Sequence, residues 1–113
     1  MASTDSLLYL EHMLDNIERI RLWTSGCTFE AYRANLMLRD AVERCLERIS
    51  EASRRLSGEV KAAQPHIPWR KVADIGNVLR HEYDDIADVE VWRIVVDDLP
   101  TLRSAVQAMI GKP

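Results

Sequence analysis

The sequence is poor in the residues that punctuate or cross-link a chain. Its 113 residues include only four glycines, four prolines and two cysteines. So few Gly and Pro leave little material for a long flexible linker, and this length suits one core, so a single domain over residues 1–113 is expected. Cys27 and Cys45 lack a C-x-x-C spacing, and no His, Cys and carboxylate group has metal-ligand spacing. Zinc and redox motifs are therefore unsupported, and the reading assigns no metal and no cofactor. One Phe, three Tyr and few β-branched runs argue against a sheet. No apolar run approaches the ~18 residues of a membrane span. The first residues lack a basic-then-apolar signal pattern. A cytoplasmic chain with no membrane partner is the expectation. Acidic residues exceed basic ones, for a net charge of −3. That excludes a surface basic all over and leaves room for a local basic site.

What is abundant is helical periodicity. Ser3-Thr4-Asp5 offers capping chemistry, and Leu7, Leu10, Leu14 and Ile17 then recur at steps of three and four, widened by Met13 and Ile20. This predicts a helix over about residues 5–24, stopped at Gly26. Thr28 caps a second stretch, with Glu30 in its first turn. From Asn35 to Leu56 the residues Leu38, Val42, Cys45, Leu46, Ile49, Ala52 and Leu56 hold the same spacing. Cys45 on that stripe reads as a core thiol. The opposite face predicts the i,i+4 pairs Asp40–Arg44 and Glu51–Arg55 on a solvated surface. Gly58 is expected to end this helix and residues 58–68 to form a connection. Pro68 suits the first turn of a helix running from about Trp69 to His81. A last helical region begins near Val89, and Pro100 should kink or split it. Four or five amphipathic helices joined by short turns make an all-α bundle. Apolar faces this wide in so small a chain leave surface for a second subunit.

Candidate chemistry concentrates in Ile75-Gly76-Asn77-Val78-Leu79-Arg80-His81-Glu82-Tyr83-Asp84-Asp85. Asn77 and His81 are four apart and share a helix face, and Arg80 and Asp84 share an adjacent one. A turn at Asp84-Asp85 is expected to end the helix. An imidazole with an amide, a guanidinium and a phenol nearby suits phosphate chemistry: His moves protons near neutral pH, and Arg stabilises developing anionic charge. The competing reading is structural, with His81 interacting with a helix C-terminus and Arg80–Asp84 forming a surface pair. His12, among charged neighbours, and His66, in a Pro-flanked loop, have weaker cases.

The segments "YLEHMLDNIERIRLWTSG", "TFEAYRANLMLRDAVERCLERISEAS", "IPWRKVADIGNVLRHEYDDI" and "VWRIVVDDLPTLRSAV" give a Pro-Trp-Arg before the site helix, a His-x-Tyr at its end, and a Val-Trp followed by Asp-Leu-Pro. In that order they resemble the HepT-like branch of the HEPN superfamily, helical toxins paired with a minimal nucleotidyltransferase antitoxin. The resemblance covers nearly the whole chain. It implies a homodimeric helical bundle that cuts RNA without a metal, using an Arg and a His at a cleft between subunits. It implies His81 as the catalytic histidine, Asn77 as the polar residue four before it, and Tyr83 as the tyrosine that the antitoxin silences by attaching AMP. The family's arginine, five residues before the histidine, falls on Gly76. Arg80, about 100° away from His81 around the helix, and Arg70, three turns back, are the candidate replacements. The alternative is a catalytically inactive HEPN dimer that binds a nucleotidyltransferase, a nucleotide or RNA.

Overall fold

Leu10, Met13, Ile17 and Ile20 are buried along one side of α1 (Thr4–Thr24), which lies between α3 (Leu36–Arg54) and α8 (Leu99–Ile110). The computed structural model describes residues 4–81 and 84–111, with side chains for 5–80 and 87–111. Among them the secondary structure is entirely helical, as the periodicity predicts. The stripe on α1 is rotated from the expected one: Leu7 is exposed and Leu14 only half-buried. A helix covered on two sides, by α3 and by α8, buries the ridge facing both, which runs through Met13 and Ile20.

Residues 25–28 form the first turn, where Gly26 adopts φ +73°, a left-handed conformation that costs glycine little. Thr28 Oγ1 then accepts from Ala31 N at 3.1 Å and starts α2 (Phe29–Ala34). Asn35 closes α2 and caps α3, its Oδ1 accepting from Leu38 N at 3.0 Å. From α3, Val42, Cys45, Leu46 and Ile49 enter the core against α1, in one apolar cluster with Leu102 and Val106 of α8. Burial pushes the Cys45 thiol above its ordinary range, consistent with a packing role.

Three boundaries differ from expectation. Gly58 does not end α3; the helix stops at Arg54, and Ser57 caps a short α4 (Gly58–Ala62) by accepting from Val60 N at 3.2 Å. The stretch 69–81 is two helices, α5 (Trp69–Ala73) and α6 (Ile75–His81). Helix resumes as α7 at Asp84, where a turn was expected, and runs to Arg93. Pro100 does split the final region: a π-helical turn spans Ile94–Asp98 before α8. The proline has no N–H to continue an α ladder, and the wider turn absorbs the mismatch. On the surface, Glu51–Arg55 pairs at 3.2 Å as expected, but Arg44 takes Glu47, at 3.3 Å, in place of Asp40. Both alternatives lie on neighbouring rows of one helix, and exposed pairs differ little in energy.

Tyr32 is fully buried at the α2–α7 junction, its ring 5.2 Å from Trp92. Its hydroxyl has no hydrogen-bond partner among the described residues. Burial, with Glu43 and Asp88 adding negative potential, pushes its ionisation well above the usual tyrosine range. The folded state thus binds this proton more tightly than the unfolded chain. Titration of Tyr32 therefore leaves stability undiminished below pH ~10 and lowers it as pH rises beyond that. Tyr32→Phe is expected to hold or raise stability at pH 7 by up to about 1 kcal/mol, since an unpaired buried hydroxyl leaves the core. It should also lessen the loss above pH ~10. Urea titrations of both proteins at pH 7 and pH 10.5 check this, and a Tyr32→Phe midpoint well below wild type at pH 7 refutes it.

Candidate functional site

The break between α5 and α6 is made by α3. The Ala73 carbonyl would accept from residue 77 in a continuous helix. Instead it accepts from Ser50 Oγ at 2.8 Å and from Arg54 Nε and Nη2 at 3.0 and 2.7 Å. Asn77 N and Val78 N both donate to the Asp74 carbonyl, at 3.0 and 3.1 Å. Three donors from a neighbouring helix hold one carbonyl out of the ladder, and the chain restarts at Ile75. At the other end of α5, Trp69 Nε1 donates to the carbonyls of Lys61 and Gln64 at 3.0 and 3.1 Å, fixing the entry after Pro68.

This restart sets the approach of α6 to α3. Gly76 is buried there, its N–H 3.5 Å from Ser50 Oγ. A Cβ at Gly76 would lie 3.3 Å from Arg80 Nη1 and 3.8 Å from Ser50 Oγ. Residues 76 and 80 are four apart and stack on one face. The Arg80 side chain reaches back over the turn N-terminal to it, as helical side chains do, and covers the glycine. Its guanidinium therefore lies against position 76.

The remaining predicted residues are placed less closely. Asn77 is exposed on α6, and His81 is the last residue of that helix, with its side chain outside the described set. Tyr83 lies outside the described residues, as does the side chain of Asp84 and with it the expected Arg80–Asp84 pair. Arg70 is exposed on α5, across the break from His81, and does not line the cleft that holds Arg80. His66 is exposed in the connection after α4.

Alongside Gly76 and Arg80 runs a cleft of about 540 Å³ between α1, α3 and α6. Its walls carry five arginines, Arg44, Arg48, Arg54, Arg55 and Arg80, against two carboxylates, Glu47 and Glu51. Tyr9, His12 and Asn16 of α1 form the opposite wall. The periodic reading took the α3 residues as a solvated face with alternating charge and missed the cleft. Arg44, Arg48 and Arg55, at spacings of four and seven on one helix face, were the available signal.

A family model described as "Ribonuclease HepT-like" matches residues 13–109, most of the chain including α6. The chain belongs to this family. Its relatives agree. A Thermococcus cleftensis protein named probable ribonuclease HepT is 35% identical over 95 residues, covering 84% of this chain and 86% of its own. A Methanocaldococcus jannaschii protein named as a putative RNase is 30% identical over 107 residues, covering 95% and 98%. A protein of Caldanaerobacter subterraneus subsp. tengcongensis, named likewise, is 30% identical over 104 residues, covering 92% and 93%. No solved structure matches the chain. The HepT-like resemblance read from the sequence is thus established, and with it the all-helical fold. None of the helices, among the described residues, is long and apolar enough to cross a membrane.

Proposed function

We propose that this HepT-like protein is a metal-independent endoribonuclease of a toxin–antitoxin pair, acting in the cytoplasm with His81 and Arg80 as its reacting groups. His81 takes the proton from a ribose 2′-hydroxyl. The 2′-oxygen then attacks the adjacent phosphorus, and the 5′-oxygen leaves with a proton returned to it. The Arg80 guanidinium neutralises the phosphorane-like charge, and Asn77, one turn before His81, orients the phosphate or the imidazole. Arg70 is a second candidate for phosphate contact.

The observation that supports this reading best is the Arg80 guanidinium packed over Gly76. That is the position at which the resemblance expects the family's arginine. A homodimer is part of the proposal, supported by the exposed Val89 and Val96 beside Phe29 and Trp92, an apolar patch that a second copy would cover. Tyr83, two residues after His81, is proposed as the site where a nucleotidyltransferase antitoxin transfers AMP. The tyrosine oxygen attacks the α-phosphate of ATP and pyrophosphate leaves, which places bulk and charge beside the histidine. An intact-mass gain of one AMP in wild type, absent in Tyr83→Phe, is the expected signature.

RNA incubated with the purified protein in excess EDTA tests the proposal. Cleavage by wild type and its loss in a folded His81→Ala protein is expected. Cleavage that survives His81→Ala refutes the assignment. One feature favours the alternative of a catalytically inactive HEPN dimer, namely that residue 76 is glycine. Folded wild-type dimer that leaves RNA intact selects that alternative, with a nucleotidyltransferase, a nucleotide or RNA as what it binds.

A further inference from the structure

The cleft beside α6 is larger than one scissile phosphate requires. We propose that it is a track for single-stranded RNA, holding about four to five nucleotides next to the reacting phosphate by arginine–phosphate contacts along α3. The inference rests on the nuclease reading of α6 and extends it to the binding of substrate.

Charge is the first argument. The chain as a whole carries −3, yet this cleft gathers five arginines and two glutamates. Such a local excess points to a polyanionic ligand. Not all five guanidiniums are equally available. Arg54 is committed to the Ala73 carbonyl. Arg55 is held by Glu51 and lies 6.0 Å from the centre of the Tyr9 ring. Arg48 and Arg80 have no ion-pair partner among the described residues. Arg44 has only the exposed Glu47 pair, which exchanges for a phosphate at little cost.

Length is the second argument. Arg44 and Arg55 are eleven residues apart on one helix, which spans roughly 16 Å at 1.5 Å per residue. A mononucleotide does not bridge that distance, whereas a stacked strand at ~3.4 Å per nucleotide covers it with four or five. Tyr9, half-buried in the opposite wall, offers a ring on which a base can stack.

Binding of labelled single-stranded RNA to His81→Ala protein, followed by fluorescence anisotropy across a salt series, tests the track without cleavage. Arg48→Ala and Arg44→Ala are each expected to weaken binding about tenfold and to lower the slope of log K against log salt by ~0.7. Arg21→Ala, on α1 away from the cleft, should change neither. The proposal is overturned if Arg21→Ala costs as much as Arg48→Ala or if the slopes are unchanged. The two readings fail separately. RNA cleavage undiminished by Arg48→Ala removes the track and keeps the nuclease. Arginine-dependent RNA binding by a wild type that never cuts keeps the track and removes the nuclease.

Discussion

Arg80→Ala is expected to lower RNA cleavage by roughly 10²–10³-fold, the usual cost of losing one donor that stabilises transition-state charge. The loss should appear in kcat more than in KM, because the other cleft arginines still bind the strand. The decisive companion is Gly76→Arg/Arg80→Ala. A side chain added at residue 76 first meets the Arg80 guanidinium, and removing Arg80 opens that space, with Ser50 Oγ next at 3.8 Å. Moving the arginine back one turn is therefore expected to restore a large part of the activity. Gly76→Arg alone should help little, since two guanidiniums would compete for one place. Single-turnover cleavage rates for the four proteins check this. Full activity in Arg80→Ala, or no recovery in the double variant despite native thermal unfolding, would remove Arg80 from the mechanism.

The second large effect concerns the tie between α3 and α7. Arg39 and Asp88 form an ion pair at 2.8 Å, with Asp88 only 3% and Arg39 18% exposed. Arg39 Nε and Asp88 Oδ1 make no further hydrogen bond among the described residues, so neither charge has much support beyond its partner. Asp88→Ala leaves a mostly buried guanidinium without its partner and is expected to destabilise the fold by about 3–5 kcal/mol. Paired replacement, Arg39→Met with Asp88→Leu, should recover most of that loss, because two apolar side chains need no partners. Chemical denaturation of the single and double variants measures both. A single variant within ~1 kcal/mol of wild type would mean that the pair behaves as a surface pair.

Much of the molecule was legible in the residues because local chemistry decides it. Thr28 caps the helix it precedes, and Gly26 turns the chain where a left-handed residue is needed. The α3 stripe from Val42 to Ile49 is buried as its spacing predicts. Gly58 misled because a Ser stands before it. Ser57 caps a new turn more effectively than the glycine ends the old one. The charged face of α3 was read as solvated because periodicity records only which residues share a face. It does not record that α1 and α6 rise on either side to make that face the floor of a cleft.

By itself, then, the sequence determined the all-helical class, the Gly26 turn and Thr28 cap, the core stripe of α3 and the HepT-like family. All of these depend on neighbours within a turn or two, or on wording along the chain. Tertiary structure alone decided two things that bear on chemistry. It broke the helix at Asp74, because Ser50 and Arg54, some twenty residues away, claim the Ala73 carbonyl. It also brought the Arg80 guanidinium over Gly76, because α6 packs against α3 with the glycine inward and the glycine leaves room for it. Hydrogen bonds and close packing between distant segments have no period in the sequence, and only the folded chain brings their partners together.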